Sequence, residues 1–287
     1  MKVLRPGSWR EALEAKAAHP DAGLIQGGTD VMVELNFGRH HATTLIDLGQ
    51  VEELRDWARV DGRVRLGAGV PYTRIVQELG GLLPGLALAA RTVGSPQIRN
   101  RGSVGGNLGA ASPAGDAHPP LLAAGAVVEA QSAARGVRLI DVADFYLAPK
   151  RHALEADELI AAVLVPIASG PEQFSKIGTR NAMVIAACSF AVCVDPVARR
   201  VGTGIGSAGP TPLRAPEAEA FLAAALEDQD AWAGGRPLDA ATLARFGELV
   251  GAAARPIDDV RATAAYRRHA LAVMARRTAA WALAGEG

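Results

Sequence analysis

RTVGSPQIRNRGSVGGNLGAASPAGDAHPPLL, residues Arg91–Leu122, is dense in residues that free or fix the backbone: Gly94, Pro96, Gly102, Gly105, Gly106, Gly109, Pro113 and Gly115. Between them stand groups able to hydrogen-bond a polar ligand, namely Arg99, Asn100, Arg101, Ser103, Asn107, Ser112 and Asp116. A loop this long without secondary structure of its own is uncommon in a compact domain and is usually functional. Glycine lets the backbone come close to a ligand and adopt positive φ, so that successive N–H groups converge on an anion. The stretch therefore reads as a diphosphate cradle, with polar side chains for sugar or ribityl hydroxyls. A Gly-rich surface loop between two helices is the plainer alternative. A second segment favours the cradle. Leu24-Ile25-Gln26-Gly27-Gly28-Thr29-Asp30-Val31 is a short apolar run, a glycine pair, then a hydroxyl and a carboxylate. Gly27, Gly28 and Thr29 stand just ahead of an expected helix, where free N–H groups suit a phosphate. Two such loops can grip one extended ligand from opposite sides.

Working outward, Ser8-x-x-Glu11 has capping-box spacing and opens an amphipathic helix over 8–18. Strands are expected at Leu24–Gln26, Thr44–Leu48 and Arg63–Ala68, and helices at about Asp30–Leu35, Pro71–Leu79 and Leu83–Arg91. Beyond the glycine-rich stretch, Pro120–Ala124 reads as a short helix, Val127–Ala130 and Val137–Ile140 as paired strands, and Leu159–Val165 as a strand closed by Pro166. From Phe174 the pattern changes to an antiparallel meander, Phe174–Gly178, Val184–Val194 and Arg199–Ile205, turning at Arg180-Asn181 and Asp195-Pro196. Alanine-rich helices follow at about Pro216–Ala225 and Ala240–Ala253, with a turn at Gly234-Gly235 between them and a last helix ending near Leu283. Strands followed by helices predict a small α+β domain. Ala168–Glu172 is the natural boundary, giving expected domains 1–168 and 172–287. The chain also holds a decoy. Gly204-Ile205-Gly206-Ser207-Ala208-Gly209 matches G-x-G-x-x-G, but Pro210 and Pro212 follow where a dinucleotide fingerprint must open a helix.

Composition narrows the function. Lys+Arg and Asp+Glu are both 30 in 287 residues, so no net field favours nucleic acid or an anionic membrane surface. No apolar run approaches the roughly 20 residues needed to cross a bilayer, and the N-terminus has no signal-peptide-like segment. A soluble cytoplasmic protein is the expectation. The two cysteines, Cys188 and Cys193, fit neither a redox CxxC pair nor a metal knuckle and read as buried thiols in a strand. Four-cysteine ligation of an iron–sulfur cluster within this chain is thereby excluded. The six histidines are scattered, and no metal is expected.

The GGTD loop at Gly27–Asp30, followed by IRNRGSVGGNLGAASPAGD at Ile98–Asp116, resembles the FAD-binding medium subunit of the molybdenum hydroxylases. The similarity extends over the whole chain. It implies an α+β chain: a two-subdomain FAD-binding fold of the PCMH/vanillyl-alcohol-oxidase type, then a small C-terminal domain of a three-stranded antiparallel sheet plus helices. It implies noncovalent FAD, since neither loop holds histidine where some covalent flavoproteins attach the ring. By this resemblance Leu24, Ile25, Gln26, Gly27, Gly28, Thr29, Asp30 and Val31 line the diphosphate and its sugar. Gly102, Ser103, Gly105, Gly106, Asn107, Ala110, Gly115 and Asp116 form the second wall. Val93 and Ile98 pack near the ring, and Ile160 and Lys176 close the pocket from strands. Lys176 either tunes the flavin potential or is a solvated strand-end lysine. Arg99 and Arg101 serve the diphosphate or an inter-subunit salt bridge, and Asp30 caps the helix that follows it. No catalytic residue is expected on this chain. The implied partners are a large molybdenum-cofactor subunit and a small subunit carrying 2Fe–2S clusters, in a dimer of heterotrimers, with NAD+ as a possible acceptor. A self-contained flavin oxidase and a nonredox nucleotide-binding module are the alternatives.

Overall fold

The computed structural model describes residues 1–39, 42–232 and 237–284; the expected Gly234-Gly235 turn lies outside the described residues. The chain opens with a small parallel sheet of β1 (Lys2–Leu4), β2 (Gly23–Ile25) and β3 (Thr44–Asp47), ordered β1-β3-β2. Two helices make its crossovers, α1 (Trp9–Ala18) and α2 (Val31–Asn36). Ser8 caps α1 by accepting from the Glu11 amide at 3.3 Å, but the Glu11 carboxylate reaches the Gly7 amide, so half of the expected capping box forms. β1 has no amphipathic signal and was not expected from the sequence.

The second layer is antiparallel. It contains β4 (Trp57–Val60), β5 (Arg63–Gly67), β6 (Val127–Ser132), β7 (Gly136–Asp141) and β10 (Leu159–Pro166), in the order β4-β5-β10-β6-β7. A two-stranded hairpin, β8 (Tyr146–Ala148) and β9 (Arg151–His152), follows the short helix α8 (Val142–Phe145). β10 lies at the centre, and the apolar run Leu159–Val163 is buried on both faces, as a central strand requires.

Between β5 and β6 the chain forms α3 (Tyr72–Glu78), α4 (Pro84–Thr92), α5 (Pro96–Arg99), α6 (Val104–Ala110) and α7 (His118–Ala124). The glycine-rich stretch is therefore not a loop devoid of secondary structure. Ser95 caps α5 and Ser103 caps α6, accepting from the Ile98 and Gly106 amides. Glycine is a poor helix former in isolation; α6 is held instead by packing, because an added Cβ at Gly105 would sit 2.5 Å from both Ala68 Cβ and Ala68 O.

The C-terminal region carries the antiparallel sheet β11 (Glu172–Ile177), β12 (Cys188–Asp195) and β13 (Arg200–Gly206), covered by α9 (Pro216–Asp228), α10 (Ala240–Ala253) and α11 (Ala264–Ala284). The second meander strand starts at Cys188, not Val184. Residues 178–187 form a loop closed by the Ala187 amide on Ile177 O, with Met183 and Ile185 exposed. Two of the three decoy glycines, Gly204 and Gly206, lie in β13 with Gly202 and serve packing, while Gly209 lies in the turn beyond it, against Leu213. A Cβ would come within 1.9 Å of Ala123 O at Gly202 and 2.0 Å of Pro119 O at Gly204, so glycine lets α7 lie directly on the strand. Cys188 and Cys193 are free and buried in β12, where burial pushes both thiols up, Cys188 to about 12.

One core gathers Ile46, Leu66, Leu108, Leu121 and Phe145, and a second gathers Phe190, Leu222, Phe246 and Leu271. Between them a small third cluster joins Ala89 of α4, Ala123 of α7 and Phe174, Ala191 and Cys193 of the C-terminal sheet. Among the described residues no helix is long and apolar enough to cross a membrane.

Candidate functional site

The two glycine loops meet backbone to backbone. A Cβ on Gly27 would fall 2.0 Å from Arg101 O and 2.6 Å from its carbonyl carbon, which only glycine avoids. Thr29 Oγ1 lies 3.6 Å from the equivalent position on Gly102, and Ser103 Oγ donates to Gln26 Oε1 at 3.3 Å. Gln26 in turn donates to Gly69 O. Gly28 takes the left-handed conformation, φ 77°, and turns the chain from β2 into α2.

The loops differ in what they offer. In the second, Gly102 donates to Ile98 O, Gly105 to Ala68 O, Gly106 to Ser103 Oγ and Asn107 to Ser103 O. Its amides are consumed by its own fold. In the first, the amides of Gly27, Gly28, Thr29 and Asp30 have no acceptor among the described residues. Four consecutive donors without an acceptor among the described residues, beside the positive-φ Gly28, are available to an anion. Gly106 and Gly109 are exposed, and an added Cβ at Gly109 meets nothing within 4 Å, so α6 presents a bare backbone surface. A cleft of about 430 Å³ runs beside the seam, lined by Gln26, Gly69, Pro71, Arg74, Asn100 and Arg101 among others.

A second group of predicted residues converges behind α6. Lys176 on β11 donates to Asp116 Oδ2 at 2.6 Å and to Thr92 O at 3.2 Å, and both charged side chains are about nine-tenths buried. Burial lifts the Asp116 carboxyl above its ordinary value, and the ion pair with Lys176 acts against that rise. Lys176 is thus not a solvated strand-end lysine. Val93 follows Thr92 directly, and Gly94, at φ 44°, packs on Ile98. Ile160 is buried in β10 opposite Ala130, while the neighbouring Ala161 accepts from the amide of Ala68, on which Gly105 rests. Val31 and Ala110 are half-buried at the ends of the two walls.

Other residues take roles not expected from the sequence. Asp30 makes no cap bond to α2; it pairs with Lys150 at 3.4 Å, which also holds Glu34 at 3.0 Å. The Lys150 amide donates to Ala111 O at the end of α6, so the β8–β9 hairpin ties the two walls together. Arg99 donates Nη1 to the carbonyls of Val93 and Gly94 and so braces the turn. His118 is fully buried; Tyr146 Oη and His118 Nδ1 are 2.6 Å apart, and burial holds the imidazole neutral, its pKa lowered to about 3. Its Nε2 would be 2.2 Å from a Cβ on Gly115, and Asn107 Oδ1 2.7 Å, which explains that glycine. Tyr72 Oη, Asn107 Oδ1, Asp116 Oδ1 and His118 Nε2 are buried without a hydrogen-bond partner among the described residues. No sequence signal marks Lys150, Tyr72, His118 or Tyr146, because each is defined by tertiary neighbours.

Residues 1–168 match the family described as the FAD binding domain in molybdopterin dehydrogenase. The chain belongs to that family. Residues 173–282 match the CO dehydrogenase flavoprotein C-terminal domain. The FAD-binding chain is 29% identical over 293 residues to the putative xanthine dehydrogenase FAD-binding subunit of Escherichia coli (strain K12), covering 99% of this chain and 96% of that one. It is 33% identical over 214 residues to the nicotinate dehydrogenase FAD-subunit of Eubacterium barkeri, covering 70% and 72%. Its fold superposes on a chain of carbon monoxide dehydrogenase from Hydrogenophaga pseudoflava with a TM-score of 0.87 at 25% identity, covering 98% and 97%. The chain is an FAD-dependent oxidoreductase subunit with an FAD-binding domain followed by a C-terminal domain. The geometry fits that cofactor: the seam between the loops supplies free amide donors for a diphosphate, and the orphaned oxygens of Asn107 and Asp116 are acceptors for hydroxyls.

Proposed function

We propose that this chain is the electron-transfer subunit of a heteromeric molybdenum hydroxylase, with domains 1–168 and 172–287. It takes electrons from 2Fe–2S clusters on a small partner and passes them to NAD+ or another acceptor, while a large partner holds the molybdenum cofactor. Bound FAD supplies the electron exchange, which no side chain here performs; the protein supplies position and electrostatics. In this reading the amides of Gly27, Gly28, Thr29 and Asp30 hold the diphosphate, and Leu24, Ile25, Gln26 and Val31 shape the strand and helix ends that present them. Ser103, Gly106, Asn107 and Ala110 form the opposing surface. Gly102, Gly105 and Gly115 let that surface pack closely against its supports. Val93 and Ile98 give an apolar wall for the ring, Ile160 backs it, and the Asp116–Lys176 pair sets the charge beside it. A cytoplasmic location and a dimer of heterotrimers belong to the same proposal.

The observation that carries the reading is the contact of Gly27 with Arg101 beside four adjacent amides that have no acceptor among the described residues. The test is purification of the chain with its neighbours under native conditions. Stoichiometric FAD on this chain, with molybdenum and iron on two co-purifying chains, is the expected result. A colourless chain that takes up no FAD would refute the proposal.

A further inference from the structure

Strand β11 lies along helix α4, and the two are matched end to end. Glu172 Oε2 accepts from the Gly85 amide at 3.0 Å, in the first turn of α4, where helix N–H groups lack partners within the helix. Lys176 donates to Thr92 O, the last residue of the same helix, where the carbonyls lack partners. Phe174, midway between them, packs on Ala89 in the small third core. Alternation in a strand puts Glu172, Phe174 and Lys176 on one face, while Ser175 points the other way and bonds Thr278 of α11 at 2.7 Å. The lengths are comparable: four strand residues span about 13 Å, the seven-residue separation from Gly85 to Thr92 rises about 10 Å along the helix, and the long Glu172 and Lys176 side chains take up the difference. Gly85 keeps this fit close, since an added Cβ would meet Glu172 Cβ and Oε2 at 3.2 Å and push the side chain back by a few tenths of an ångström. β11 is itself locked in the C-terminal sheet, Glu172 opposite Cys193 and Lys176 opposite Ser189.

We infer that β11 is a two-point staple on α4, through which the C-terminal domain sets the flavin-side end of that helix, with Glu172 as a positioning residue. An acceptor meets the donor end of α4 and a donor meets its acceptor end. The second point, Lys176, also holds Asp116, and Thr92 leads straight into Val93 and the turn to Ile98. Releasing the Glu172 end lets α4 slide or tilt on the strand and displaces Val93 and Asp116 together. The inference rests on the cofactor reading above.

The test titrates oxidised FAD into the full-length chain and records the visible spectrum of the bound flavin. Glu172→Leu removes the acceptor. Glu172→Asp keeps the carboxyl but shortens its reach, and serves where the leucine variant is too unstable to purify. Glu172→Gln retains an oxygen at the same place. Loss of the anchoring bond strands the Gly85 amide, so the Leu and Asp variants bind FAD roughly tenfold more weakly with a shifted spectrum. The Gln variant stays within about twofold of wild type. Ser175→Ala, on the opposite face, leaves both readouts unchanged. A folded Leu or Asp variant with wild-type affinity and spectrum would overturn the staple, as would a Gln variant as weak as the Leu one. A wild-type chain without affinity for FAD would instead fail the cofactor reading itself.

Discussion

Gly27→Ala is the sharpest perturbation of the site, because a single methyl group is placed against backbone. Gly27 is not in the left-handed region, so alanine meets no conformational penalty there and the effect is purely steric. The new Cβ would lie 2.0 Å from Arg101 O, whereas ordinary contact begins at 3.4 Å, so one loop must retreat from the other by about 1.4 Å. Both loops are tied from behind, the first through β2 in the parallel sheet and the second through Gly105 on Ala68. Overpacking of this kind costs about 2–3 kcal/mol. In the free chain the strain is relieved by opening the seam; binding the dinucleotide requires closing it again. The cost therefore falls on affinity, and the dissociation constant for FAD rises roughly 30- to 150-fold. Fluorescence titration of the full-length variant with FAD measures this, with thermal melting as a check that the chain is folded. Gly106→Ala is the matched control for folding, because its Cβ meets only Ser103 Oγ, at 3.4 Å. A Gly27→Ala chain that melts and binds FAD like wild type would show that the loops do not clasp the cofactor at this point.

Three further outcomes are expected. At the exposed Gly106 an added Cβ makes only ordinary contact with Ser103 Oγ, so Gly106→Val should melt close to wild type yet purify colourless; retention of stoichiometric FAD would place the dinucleotide elsewhere. Lys176→Met leaves the Asp116 carboxylate buried without its cation, costing about 3–5 kcal/mol in urea unfolding, with Asp116→Asn in the same chain recovering most of it. In the assembled enzyme Lys176→Met should also lower the flavin potential, and an unchanged potential would remove Lys176 from that role. Burial lifts the Glu172 carboxyl to about 7, from 4.5 when unfolded, so the folded chain holds a proton that the unfolded chain has released. That stabilisation, about 3 kcal/mol, is complete below pH 4.5 and is lost as pH rises through 7. Glu172→Gln should flatten this slope in unfolding measured from pH 5 to 8, and an unaltered slope would assign the titration to another group.

Much of the fold was legible because burial writes directly into composition. The apolar run of β10 marks a central strand, and the alanine-rich helices of the C-terminal half end close to where their patterns predict. Pro210 and Pro212 argue against a dinucleotide fingerprint at Gly204, and no helix opens there: Gly204 and Gly206 are explained by α7 lying on β13, and Gly209 by the turn onto Leu213. The misplaced boundaries have a common origin. Val184–Ala187 has a strand's composition but no neighbouring strand to pair with, so its apolar Ile185 is left exposed. β1 lacks a pattern of its own and exists because β3 offers it a parallel edge. Helix α6 runs against its own propensity, stabilised by contact with Ala68 that no local window contains.

At the site, the same glycine density that drew attention to the stretch has two separate causes, and only coordinates separate them. Gly27, Gly102 and Gly105 are small because another part of the chain occupies the space a Cβ would need, and Gly115 because His118 and Asn107 do. Gly106 and Gly109 are not crowded in this way: a Cβ would meet only Ser103 Oγ at 3.4 Å on Gly106 and nothing within 4 Å on Gly109. A motif read as a cradle is thus mostly a hinge of close packing, with its binding surface confined to these two glycines and the first loop. The division has a consequence for substitution. At Gly105 and Gly115, whose Cβ would clash with the chain's own supports, alanine should weaken folding and FAD binding together, whereas at Gly27, Gly106 and Gly109 it should weaken binding alone, so the ratio of the two effects separates supporting glycines from those at the seam.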